Sequence, residues 1–229
     1  MRTTANIATY PPRKESLKKM LKSIEGQFDF IRICANGYTD EEAQELALGN
    51  VSVFVPNEDR TDNGKFNYLD VIEDDEYYFT LDDDLIYPSD YVETTVKHIE
   101  EFNCIVTYHG RALIGKGLDY YKGHYQYHCL NEQSENLQID VMGSGVSAFS
   151  TKYFKPLGIA NDHRMKMSDL LVSLEAAKQE KTIGLMTHPR GWFKLIENKE
   201  TIYDTEVKTG TPIQNQIANE IFELRHENN

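Results

Sequence analysis

Apolar and polar positions alternate along this chain with two different periods. Residues 5–10, 30–35, 51–55 and 77–81 are short runs rich in apolar, β-branched and aromatic side chains, bounded by turn formers, as buried strands are. Between the first two, Leu17, Met20, Leu21 and Ile24 recur at helical spacing, and Gly26 is placed to end that helix. Thr39-Asp40-Glu41-Glu42 has the form of a capping box opening a helix through Ala43, Leu46 and Ala47. Residues 65–73 read as a short helix with Phe66, Leu69 and Ile72 inward. Strand and helix in regular alternation predict βαβ units: an α/β fold with a mostly parallel sheet flanked by helices.

The second half is less regular. A helix is expected over 89–102, with Val92, Val96 and Ile99 inward, and then a strand over 104–108. Across 109–138 the periodicity fails, and tyrosine, glycine and histidine accumulate, which predicts an irregular lid or binding loop whose tyrosines stack on a ligand. His124 and His128 have the spacing of half a zinc site, with Cys129 beside them. A strand resumes at 139–142, and Gly143-Ser144-Gly145 allows close backbone approach. Ser168-Asp169 opens a helix with Leu170, Leu171, Leu174 and Ala177 on one face, Ser168 being able to cap it. A last strand at 183–186 runs into Thr187-His188-Pro189-Arg190-Gly191-Trp192. Beyond Glu197 the chain is polar, although Ile213, Ile217, Ile221 and Leu224 suit one docked amphipathic helix. The expectation is one domain over 1–196, in halves meeting near 109, with a C-terminal helical appendage over 197–229.

Composition narrows the functional classes. No apolar run approaches the roughly 20 residues of a membrane span, and no signal-peptide pattern opens the chain, so a soluble cytoplasmic protein is expected. Cys34, Cys104 and Cys129 are odd in number and far apart, which argues for reduced thiols. A formal net charge of −13 over 229 residues weighs against tight non-specific DNA binding, which depends on Lys and Arg contacts to phosphates.

Candidate chemistry gathers where strands end. Asp82-Asp83-Asp84 follows the aromatic run 77–81 directly. Extended backbone would point Asp82 and Asp84 to one side and Asp83 to the other, making half a site for a hard divalent cation. A solvated acidic turn is the alternative. The exits of the first strand (Thr9, Tyr10) and second strand (Asn36, Gly37) fall at the same sheet edge, where ligands bind in parallel sheets.

Taken in order, several segments resemble the GT-A glycosyltransferases, a Rossmann-type family, and within them the inverting family 2 type. Thr9-Tyr10-Pro11-Pro12-Arg13 is similar to the family's nucleotide-contacting first turn, and Ala35-Asn36-Gly37-Tyr38-Thr39-Asp40 to its second. Asn63-Gly64-Lys65 resembles the segment that brings an amide and a cation to the diphosphate. Asp82-Asp83-Asp84 resembles the DxD motif, Gly143-Ser144-Gly145 the strand before the acceptor site, and Ser168-Asp169 the helix start bearing the catalytic aspartate. The second turn departs from the family in carrying Ala35 and Asn36 where a carboxylate is usual, which leaves the nucleotide open.

The resemblance implies a nucleotide-binding half over about 1–109 and an acceptor half over about 110–196. It implies Mn²⁺ or Mg²⁺ on Asp84, with His188 as a further ligand; donor contacts from Thr9, Tyr10, Pro11, Arg13, Asn36, Asn63, Lys65, Asp82 and Asp83; and Asp169 as general base. Gly143, Ser144, Gly145 and Trp192 would meet the sugar or the acceptor. The donor would be a nucleotide-diphosphate sugar, a UDP-sugar first, and the acceptor a saccharide or another hydroxyl-bearing molecule. A sugar nucleotidyltransferase would need a glycine-rich first turn, which Thr9-Tyr10-Pro11-Pro12-Arg13 lacks; a non-catalytic saccharide- or nucleotide-binding module would need no Asp169.

Overall fold

Strands buried on both faces belong at the centre of a sheet, and the all-buried run Glu76–Leu81 sits there. The computed structural model describes residues 1–117, 119–164, 166–196 and 211–227. Its first half runs β1 (Arg2–Thr9), α1 (Lys14–Ser23), β2 (Phe30–Ala35), α2 (Asp40–Gln44), β3 (Val51–Phe54), β4 (Glu76–Leu81), β5 (Leu85–Ile86) and α3 (Tyr91–Phe102). The second runs β6 (Ile105–Thr107), β7 (Gly110–Leu113), β8 (His124–Tyr127), β9 (Leu137–Ile139), β10 (Val141–Met142), β11 (Val146–Ser150), α4 (Ser168–Lys178), β12 (Ile183–Leu185), β13 (Lys194–Leu195) and α5 (Pro212–Phe222).

The main sheet has eight strands in the order β3-β2-β1-β4-β11-β6-β12-β9. β3, β2, β1 and β4 run parallel, as do β6 and β12; β11 is antiparallel to both its neighbours, and β9 is an antiparallel edge. This is the α/β architecture with a mostly parallel, helix-flanked sheet that the alternating pattern predicts. One core cluster packs Leu17 and Met20 of α1 and Ile99 of α3 against the sheet; a second packs Leu170, Leu171 and Leu174 of α4 against the other elements. No helix among the described residues is long and apolar enough to cross a membrane. All three cysteines are buried and free.

Several local expectations need correction. Residues 61–66 form a tight 3₁₀ turn where a helix over 65–73 is expected, and α2 stops at Gln44, although its capping box forms as read, Thr39 and Glu42 reciprocating. The segment 109–138 is not irregular throughout. β7 and β8 pair as a hairpin, and β10 adds to make a three-stranded sheet. The run 139–142 breaks at Asp140, whose Oδ2 accepts the Leu113 N–H at 2.7 Å, so Ile139 stays in the main sheet while Val141 joins the small one. α5 docks as expected, burying Ile217 and Ile221 in the cluster of Leu170 and Leu174, though Ile213 is exposed. Residues 197–210, where the appendage was expected to begin, lie outside the described residues.

Candidate active site

β1 has β2 on one side and β4 on the other, so a crevice opens at their carboxyl ends where the chain order reverses, the place where open α/β sheets receive ligands. Thr9 ends β1, and Asp82-Asp83-Asp84 follows β4. The Thr9 hydroxyl donates to Asp83 Oδ2 at 2.6 Å, which joins the two walls. Arg13 is buried behind them; its Nη1 donates to Asp84 Oδ2 at 2.7 Å and lies 3.8 Å from Asp83 Oδ1.

Asp83 and Asp84 occupy a turn, so strict strand alternation does not reach them. The Asp82 and Asp84 side chains keep 43% and 21% of their surface exposed against 12% for Asp83, so the first two can face a ligand and the third cannot. Burial pushes the Asp83 carboxyl up to about 7, although the Thr9 hydroxyl and Arg13 pull the other way. Burial also raises Asp84, and the neighbouring Asp82 charge adds to it.

Asp82 turns toward a different cation. Lys65 Nζ contacts Asp82 Oδ1 and lies 3.3 Å from both the carbonyl and the hydroxyl oxygen of Ser144. Two glycines make this closeness possible. A Cβ at Gly64 would lie 2.7 Å from Cys34 Sγ, and one at Gly145 would lie 1.9 Å from Asp82 Oδ2. The buried Tyr87, which the sequence reading missed, locks the pair of turns: its Oη accepts from the Asp82 N–H at 2.8 Å and donates to the Gly145 carbonyl at 2.5 Å.

Ser144 carries the site across to α4. Its N–H donates to Asp169 Oδ1 at 2.8 Å, and its hydroxyl oxygen lies 3.1 Å from that of Ser168. Ser168 begins α4 without capping it; Asp62 takes the capping role from a distant turn, accepting the Ser168 N–H at 3.0 Å and its hydroxyl at 2.5 Å. Asp169 retains part of its surface. Its dense surroundings raise the carboxyl above the ordinary range, against the pull of Arg111, the Ser144 N–H and Lys65. Arg111 and Asp62 are the charged residues the sequence reading missed. Arg111 is buried, bonds the Tyr120 hydroxyl through Nη1, and stacks 4.9 Å from the Tyr120 ring centre and 5.9 Å from that of Tyr121.

Other expected site residues lie differently. The Asn36 amide is engaged by backbone, donating to Thr61 O at 3.1 Å and accepting from the Arg60 N–H at 3.0 Å. Asn63 is buried and donates to the carbonyls of Asp162 and Arg164 at 3.2 and 3.3 Å, so it anchors that loop. Tyr10 and Pro11 remain accessible at the mouth of the crevice. The Gly143 N–H donates to His109 O at 2.8 Å. His188 is buried in an aromatic box, stacked at 22° on Trp192 with Tyr108 5.7 Å away, and Trp192 Nε1 donates to Asp90 Oδ1 at 2.9 Å.

Among the described residues, the one group of three His, Cys, Asp or Glu with ligand atoms within 4.8 Å of one another is His109, His128 and Cys129. His124 is not in that group; its Nδ1 meets the Tyr120 carbonyl at 2.5 Å.

Asp82 and Asp84 fit a hard cation. They are two oxygen donors acting on the same space, and Asp84 Oδ1 has no hydrogen bond among the described residues. The arrangement therefore sets the half-buried Asp82 and Asp84 carboxylates on one side and the desolvated Asp169 on the other, with Lys65 and Ser144 between. No protein-family model matches the chain, and no curated protein matches it.

Proposed function

We propose that this chain is a metal-dependent glycosyltransferase of the GT-A type, moving a sugar from a nucleotide-diphosphate sugar, a UDP-sugar first, to an acceptor hydroxyl with inversion. One observation carries the reading: a chain of polar contacts links Asp82 of the acidic turn through Lys65 and Ser144 to Asp169. The antiparallel β11 inserted between β4 and β6 supports it, because that strand delivers Ser144 and Gly145 to the acidic turn.

In this reading Asp84 and Asp82 hold Mn²⁺ or Mg²⁺, which supplies charge neutralisation for the departing diphosphate. Arg13 sets the orientation of Asp83 and Asp84, and Lys65 that of Asp82. Asp169 takes the proton of the acceptor hydroxyl as the new bond forms, its raised pKa suiting a base that must hold a proton briefly near neutrality. Thr9, Tyr10 and Pro11 would border the nucleotide, and Trp192 would meet the sugar or acceptor. The reading does not rest on His188.

The test is a screen of nucleotide-diphosphate sugars for donor hydrolysis with and without Mn²⁺, followed by isothermal titration of the active donor. Metal-dependent hydrolysis of one donor class is expected. Undiminished turnover in EDTA would remove the carboxylate pair from the mechanism.

A further inference from the structure

A second set of ligand-type side chains, which the proposed transfer does not use, lies near the carboxylate recess. His109 follows β6, and His128 and Cys129 follow β8; the β7–β8 hairpin brings them together. One ring nitrogen of each histidine and the Cys129 sulfur all fall within 4.8 Å of one another, and the two imidazoles meet edge to face with centroids 4.7 Å apart.

We propose that His109, His128 and Cys129 bind a divalent cation of the zinc type, which clasps the two ends of the β7–β8 hairpin. Two imidazoles and a thiolate are a nitrogen and sulfur set, chosen by Zn²⁺ over Mg²⁺ or Mn²⁺, which prefer the oxygen donors of Asp82 and Asp84. Zinc bonds of about 2.0–2.3 Å place tetrahedral ligand atoms roughly 3.4–3.8 Å apart. The present spacing thus closes onto an ion with a shift of about an ångström, and His128 is exposed and able to make it.

The three groups are also little committed elsewhere. Among the described residues the His109 ring makes no hydrogen bond, Cys129 has no disulfide partner, and His128 Nδ1 accepts one long bond, 3.3 Å from the Leu130 N–H. The His109 imidazole is held neutral chiefly by burial, which leaves its lone pair available. Binding forms a zinc–sulfur bond as the Cys129 thiol releases its proton to solvent. The carboxylates of Asp82 and Asp84 act on the Cys129 position and favour a cation there, while Arg111 opposes it from the histidine side. A fourth coordination position remains for water.

Chelator-treated protein titrated with Co²⁺, in excess Mg²⁺ to fill the oxygen-donor site, tests this. One equivalent should give a thiolate-to-cobalt charge-transfer band with tetrahedral ligand-field bands, and Zn²⁺ should displace it. Cys129→Ser should abolish the band, and His128→Ala, at an exposed position that does not endanger the fold, should weaken binding roughly 10–100-fold or more. Asp84→Ala should leave the band in place. The proposal is overturned if no charge-transfer band appears, if the band survives Cys129→Ser, or if binding survives His128→Ala undiminished and is lost in Asp84→Ala.

Discussion

In the proposed transfer Asp169 would act as base, and burial raises its carboxyl above the ordinary aspartate range, the direction that strengthens a base. It is desolvated, yet the Ser144 N–H and the Arg111 charge hold it in place. Asp169→Asn is nearly isosteric and should leave donor binding intact while lowering the transfer rate by about two to four orders of magnitude. Since burial raises this carboxyl, kcat/KM of the wild type should fall on the acid side at a pH above that of an ordinary aspartate. That acid limb should vanish from the residual rate of the variant, and a product retaining the donor's anomeric configuration would assign the chemistry elsewhere. Gly145 makes a second residue-scale demand. Its absent Cβ is the space Asp82 Oδ2 occupies, so Gly145→Ala must displace that carboxylate. Donor affinity, measured by titration with Mn²⁺ present, should drop at least tenfold, about 1.4 kcal/mol, while the melting temperature changes little if Tyr87 still ties the turn.

At the scale of elements, the first half was legible because its strands are apolar and evenly spaced, and because the acidic triplet interrupts an apolar run. The β7–β8 hairpin was not. β8 is His-Tyr-Gln-Tyr with two central residues exposed, so no alternation of burial marks it, and its register depends on Asp140, which sits remote in sequence from Leu113. Arg111 and Asp62 were hidden for the same reason: their roles come from partners that only the fold supplies. α5 bears on this hairpin directly. Asn219 Oδ1 accepts the Gly117 N–H at 2.7 Å, Asn215 Oδ1 accepts the Tyr120 N–H at 2.8 Å, and Tyr120 in turn holds Arg111 beside Asp169. Excising the tyrosine-rich segment would therefore remove buried Leu113 and Tyr120 from the fold. A gentler cut is Asn215→Ala with Asn219→Ala, each loss costing on the order of 1 kcal/mol of loop anchoring. The double variant should raise the acceptor KM several-fold and leave donor affinity unchanged; an equal loss of both would make α5 a support for the whole fold and not for the acceptor side.

For the whole molecule, the three buried or half-buried carboxylates Asp83, Asp84 and Asp169, inside a chain already at −13, work against stability. Asp83 shows the sign most clearly. Its carboxyl moves from an ordinary 3.8 up to about 7, mainly by burial. Between those values the native state holds a proton that the unfolded chain has released, so stability falls as pH rises through that window and is flat above it. With about 1.4 kcal/mol per pKa unit, the contribution is on the order of 4 to 5 kcal/mol, a large share of a typical 5–15 kcal/mol domain stability. Asp84 and Asp169 are shifted in the same direction, so they steepen the slope and do not cancel it. Urea midpoints measured in EDTA should therefore be higher at pH 5 than at pH 8. Asp83→Asn removes the titrating group while keeping an oxygen that can accept from Thr9, and it should lose much of that difference. Mn²⁺ added at pH 8 should restore stability to the wild type by neutralising Asp82 and Asp84, and should fail to do so in Asp84→Ala. A wild-type midpoint that is flat or rising from pH 5 to pH 8 in EDTA would show that Asp83 stays ionised in the folded protein, with Arg13 outweighing its burial.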